Sequence, residues 1–125
     1  MSKRKLTVYY YPKCGTCRKA LKWLQEKGYE LELHDLFEQA PSKETVASWI
    51  ALSGLPAKKF FNTSGEVYKE MKLKDMLPTL SEEQQTELLA GNGRLVKRPV
   101  VTDGHTATVG FKEEEYDRAW PGTEE

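Results

Sequence analysis

Cys14 and Cys17 are the only cysteines in this chain, and Gly15 and Thr16 alone separate them. Two thiols at this spacing can pass between dithiol and disulfide, one attacking as a thiolate and the other resolving the mixed disulfide. The attacking thiol needs a lowered pKa. A helix N-terminus or a Cys-x-x-Cys motif can bring a thiol from about 8.5 to between about 3.5 and 7.5. Here β-branched and aromatic residues 5–11 precede the pair and read as a strand. Residues 18–27 follow it and read as a helix, with Pro12 and Lys13 turning between them. The pair is therefore expected at a helix mouth, where free N–H groups and the positive end of the dipole favour an anion. Lys13, Arg18 and Lys19 add positive charge nearby. Cys14, at the open end in the helix's first position, is the expected nucleophile; Cys17, one turn in and more buried, is the resolving thiol.

Two cysteines have other uses. Inert burial is one. A zinc site is another, but no second Cys-x-x-Cys exists, and His34 and His105 are too far apart in sequence to form a ligand pair. A permanent staple would close so small a loop that it removes little unfolded-state entropy.

The elements that would position the pair are legible in order. Ala20, Leu21 and Leu24 give the first helix an apolar face, and Gly28 is a plausible stop. Tyr29, Leu31 and Leu33 alternate with Glu30, Glu32 and His34, which reads as a half-buried second strand. The unit is β-α-β, and its strands are expected to be parallel. Ser42 caps a helix carrying Val46, Trp49 and Ile50, closed by Gly54. Residues 55–80 read as short helical pieces around a turn at 62–65, ended by Pro78. Ser81 and Gln84 form a capping box ahead of Leu88 and Leu89, and Asn92-Gly93 break that helix. Val100 and Val101 start a strand, Asp103-Gly104 signals a hairpin, and residues 106–110 return. Residues 112–120 make a final helix.

The whole chain fits one domain: 125 residues, zero formal net charge and 30% charged residues. That balance argues against a broad nucleic-acid face. No apolar run approaches the roughly 18 residues of a membrane span. The basic N-terminus lacks the apolar core of a signal peptide. A cytoplasmic location is expected, where the pair would cycle rather than stay oxidised. Trp23, Trp49 and Trp120 read as packing residues. His34 and His105 show no partner, and Glu113 to Glu115 read as a solvated face. Lys58-Lys59 beside Phe60-Phe61 is either ordinary surface or a partner patch.

Residues 11–20, Phe60-Phe61-Asn62 and residues 95–101, with Arg98-Pro99 opening the hairpin, together resemble the arsenate reductase/Spx family, also called ArsC-like. The resemblance covers nearly the whole chain. It implies an α/β fold, a thioredoxin-like βαβ…ββα core with an inserted helical region at about 42–90. It thus implies a single domain over 1–120 and a tail at 121–125. It implies that Pro99 is cis, where the sequence by itself suggests an ordinary trans edge proline. It places Arg98 and Pro99 as substrate-binding residues beside the thiols, although a lone arginine can equally be solvated surface.

Arsenate-reducing members carry a histidine four residues before the nucleophile; this chain has Tyr10. They also hold the oxyanion with three arginines. One matches Arg98, while Asn62 and Phe111 fall at the others. An arsenate trianion would lack most of its bidentate partners, so slow or absent arsenate reduction is expected. The leading expectation is a monomeric thiol–disulfide redox protein without cofactor or metal. Its partners would be a small thiol or a protein disulfide, with glutathione/glutaredoxin or thioredoxin as donor. The alternatives are a Spx-type redox-sensing regulator, whose relatives bind the C-terminal domain of the RNA polymerase α subunit, and, behind it, an arsenate reductase using Cys14 with a small thiol donor.

Overall fold

The structure, a computed structural model, describes residues 5–121. In chain order the elements are β1 (Lys5–Tyr10), α1 (Gly15–Glu26), β2 (Glu30–Asp35), α2 (Lys43–Ser53), α3 (Glu66–Glu70), α4 (Leu73–Met76), α5 (Glu82–Leu89), β3 (Val100–Thr102), β4 (Ala107–Val109) and α6 (Glu113–Ala119). Short 3₁₀ turns at Ala57–Phe60, Leu77–Thr79 and Gly93–Leu95 lie between them. The described residues form two compact units: residues 5–35 with 98–121 make one, and Leu36–Lys97 makes the other. The helical region expected at about 42–90 falls inside the second.

In the first unit, four strands run in the order β2-β1-β3-β4. β1 pairs parallel with β2 and antiparallel with β3, which is itself antiparallel to β4. β1 is central because its alternation is clean: Leu6 and Val8 are fully buried on one face. α1 covers that face with Ala20 and Leu24, and α6 adds Tyr116 and Trp120. Tyr116 donates its hydroxyl to the Gly110 carbonyl at 2.9 Å, and the Trp120 indole donates to Thr108 at 3.1 Å. Both large aromatics thus bury their rings without stranding a polar atom. The Tyr29 hydroxyl donates to the Pro121 carbonyl, tying the end of the described chain to the start of β2. α1 stops at Lys27, and Gly28 follows at φ 95°, the left-handed position that favours glycine after a helix.

Two expectations need correction here. β2 is not half-buried through Leu33, which is 45% exposed and lies outside the core against which Leu31 packs. His34 does have partners: its ring stacks on Tyr9 at 5.1 Å and its Nε2 lies 2.9 Å from Glu32.

In the second unit, Ser42 caps α2 by accepting from the Thr45 N–H, and Gly54 closes that helix at φ 73°. The capping box at α5 is complete: Ser81 accepts from the Gln84 N–H while the Gln84 side chain accepts from the Ser81 N–H. Trp49 stacks on Phe60 at 6.1 Å in the core. A two-way backbone clasp holds 60–62 against 95–97: Lys97 N–H donates to Phe60 and Asn62 N–H to Leu95, each at 2.7 Å. Pro78 lies within the Leu77–Thr79 turn rather than ending the segment.

Candidate redox site

Everything that positions Cys14 comes from the turn after β1. The Cys14 N–H donates to the Tyr11 carbonyl at 3.0 Å, and Arg18 Nε donates to the Pro12 carbonyl at 3.1 Å. These bonds hold the turn so that Cys14 becomes the N-cap of α1, at φ −88° and ψ 121°. The sequence placed it at the first helical position; one residue earlier, its side chain can fold back over the helix end. Its sulfur accepts the Cys17 N–H at 3.4 Å, taking the role that a serine or aspartate oxygen usually fills. Both cysteines are free thiols, Cys14 half-buried and Cys17 fully buried. A Cβ added at Gly15 would meet nothing within 4 Å, so the first residue of α1 faces open space.

The two thiols are driven apart in acidity. Burial pushes Cys14 up, but the Cys17 N–H bonded to its sulfur and the Arg98 guanidinium outweigh burial and hold it below the ordinary thiol value. Burial pushes Cys17 up to about 12; the Tyr11 backbone and Arg98 oppose this, while the neighbouring Cys14 sulfur adds to it. The charge acting on Cys14 is thus Arg98's. Lys13, Arg18 and Lys19, which the sequence grouped with the pair, are exposed to solvent, where their fields are screened.

Arg98 is half-buried, with its guanidinium 5.8 Å from the centre of the Tyr11 ring. That is within reach of a cation–π contact. Tyr11, read from sequence only as the end of a strand, is therefore part of the site. No pattern in the sequence marks it, because the contact depends on two segments far apart in the chain. The Arg98–Pro99 bond is cis, as the resemblance implied, and Pro99 is buried. The Pro99 carbonyl accepts from the Gly110 N–H at 2.9 Å, anchoring that segment to the end of β4. Among the described residues, no third His, Cys, Asp or Glu joins the thiols into a metal-binding group. Asn62 belongs to the other compact unit. Phe111, partly buried, packs edge-on against the core residue Tyr116 at 4.9 Å.

The ArsC family profile matches residues 9–119. The uncharacterized protein YusI of Bacillus subtilis is 55% identical over 92% of this chain and 98% of its own. The global transcriptional regulator Spx of Enterococcus faecalis is 28% identical over 93% of this chain and 86% of its own. A crystal structure of an ArsC-family-related protein from Bacteroides fragilis superposes with a TM-score of 0.86 at 52% identity, covering 91% of this chain and 97% of that one. The fold is thus the ArsC-like, thioredoxin-type α/β fold.

Proposed function

The chain belongs to the ArsC family, and from that premise and the thiol geometry we propose that it is a thiol–disulfide oxidoreductase cycling Cys14 and Cys17. The observation that carries this reading is the N-capped Cys14 sulfur, held below the ordinary thiol pKa beside a neighbour pushed up to about 12. A pair split this way has its roles divided. The Cys14 thiolate attacks a disulfide sulfur in the substrate, forming a mixed disulfide and expelling one thiolate. Cys17 then passes its proton to a departing thiolate and attacks the Cys14 sulfur. The substrate's second thiol leaves, and its disulfide has gained two electrons while Cys14–Cys17 is oxidised. A dithiol donor of the thioredoxin or glutaredoxin class, or a small thiol such as glutathione, restores the pair. Arg98 stabilises the attacking thiolate, and with Pro99 borders the place where the incoming sulfur must sit. The reaction would take place in the cytoplasm, with a monomeric chain and no cofactor.

Replacing Cys17 by Ser removes the resolving step and should trap partners of Cys14 as mixed disulfides in a cytosolic extract, releasable by dithiothreitol. In the unsubstituted protein, mild peroxide should take two protons and two electrons from Cys14 and Cys17, joining them within one monomer with the loss of two hydrogen atoms in mass; mainly intermolecular dimers would sink the proposal. Two rival readings are separated in the same preparation. Arsenate turnover near the usual enzyme range of about 1 per second would point to an arsenate reductase, against the expectation from Tyr10, Asn62 and Phe111. Micromolar binding to the C-terminal domain of the RNA polymerase α subunit, about −8 kcal/mol, would favour a Spx-type regulator.

A further inference from the structure

The second compact unit carries a cleft of about 760 Å³ that the thiol chemistry does not use. Lys58, Lys59, Lys74 and Lys97 line it, and no Asp or Glu does. All four lysines are exposed, and none forms an ion pair among the described residues. Four like charges around one hollow repel one another, and an anion of several charges would relieve that repulsion. Phe61, Tyr68 and Leu77 supply an apolar wall. The volume lies within the roughly 300–1,000 Å³ of small-molecule sites.

A second, independent feature lies in the same cleft. Gln85 lines it and is only 8% exposed. Its Nε2 donates to the Leu77 carbonyl at 3.1 Å and the Leu80 carbonyl at 3.2 Å. Those bonds fix the amide, because turning it over would set oxygen against two carbonyl oxygens. The Oε1 atom is then left buried with no partner. A buried acceptor without a donor is destabilising; this oxygen is sealed beneath the cleft surface, and it gains a partner when a ligand N–H parts the side chains over it.

We propose that this cleft binds an organic polyphosphate of nucleotide type: phosphates on the lysines, a flat moiety on the apolar wall, and one N–H donated to Gln85 Oε1. Lysine is a point-charge phosphate binder that does not demand the bidentate geometry of arginine. The adjacent Lys58-Lys59 and Phe60-Phe61 thus divide their work, the lysines facing the cleft and Phe60 packing on Trp49.

The test is calorimetric titration of the whole chain with metal-free adenosine triphosphate, inorganic tripolyphosphate and an unstructured oligoglutamate peptide. Adenosine triphosphate should bind one-to-one with a Kd of about 100 μM or tighter. Tripolyphosphate keeps the charge but has no N–H or flat moiety, and should bind about fivefold or more weakly. The Lys59→Glu/Lys74→Glu double variant, at exposed positions and checked by circular dichroism, should lose about tenfold or more in affinity for adenosine triphosphate. The proposal is overturned if adenosine triphosphate fails to saturate by about 1 mM or if the double variant binds it unchanged. Equal affinity for tripolyphosphate would overturn the organic part of the assignment. Tighter binding of oligoglutamate would reassign the cleft to an acidic protein segment. None of these readouts depends on Cys14 or Cys17.

Discussion

At pH 7, Cys14 in a Cys17→Ser protein should be alkylated by iodoacetamide about a thousandfold or more faster than Cys17 in a Cys14→Ser protein. The thiolate is the reacting species, so the rate follows its population. Cys17, pushed up to about 12 by burial, is almost wholly protonated at neutral pH, and its sulfur is sealed from solvent. Cys14 lies below the ordinary thiol value and is half-buried. Lowering a thiol's pKa raises its thiolate fraction at every pH below that value, so the Cys14 profile should level off at lower pH than a free thiol's. Arg98→Ala deletes a charge that lowers the Cys14 pKa, so the profile should move to higher pH. Rates measured between about pH 5 and 10 span both ordinary and lowered thiol values. Equal rates for the two variants, or a faster Cys17, would remove the physical basis for assigning Cys14 as nucleophile.

Gly93→Ala should be among the most damaging single-methyl additions in the protein. A Cβ there would lie 1.9 Å from the Leu36 carbonyl oxygen and 2.7 Å from its carbon. The obstruction is backbone, which cannot rotate aside as a side chain would. Leu36 is itself buried, so relief requires moving one packed segment off another. The expected cost is about 3 kcal/mol, the upper part of the overpacking range. For a chain of this size that is a fall in Tm of about 10 °C. Gly15→Ala is the control, since its Cβ would meet nothing within 4 Å; its Tm should be unchanged or slightly raised. Thermal denaturation followed by circular dichroism decides the matter, and a Gly93→Ala midpoint equal to that of the control would contradict the close approach.

What the sequence makes legible follows from how local each signal is. The β-α-β start, the position of the thiols at a helix mouth, the capping box at Ser81 and the Asp103-Gly104 turn each rest on a few adjacent residues. The structure contains all of them. The N-cap role of Cys14 was one residue away from legible, because strand-to-helix turns shift by a residue without changing composition. The exposure of Leu33 is hidden for a different reason: alternation reports a face, but not whether anything covers it. Residues 55–80 broke into short turns because Pro56, Gly65 and Pro78 interrupt any sustained period. The contact of Arg98 with Tyr11 arises between residues remote in the chain, and the orphaned oxygen of Gln85 depends on how the turn at Leu77–Leu80 folds back onto α5; no sequence pattern encodes either.

The place of β1 in the sheet has a consequence for the order in which a nascent chain acquires its chemistry. β1 is synthesised well before β3, its neighbour on one side, with the whole Leu36–Lys97 unit between them. Closing so long a loop costs entropy before any contact repays it. The Leu36–Lys97 unit is contiguous, so all its parts have been made before Arg98 is added. Both cysteines therefore leave the ribosome long before the guanidinium that lowers the Cys14 pKa. The Cys-x-x-Cys segment supplies its own share of Cys14 acidity through the Cys17 N–H, but the share that depends on Arg98 is withheld from a growing polypeptide until the hairpin arrives.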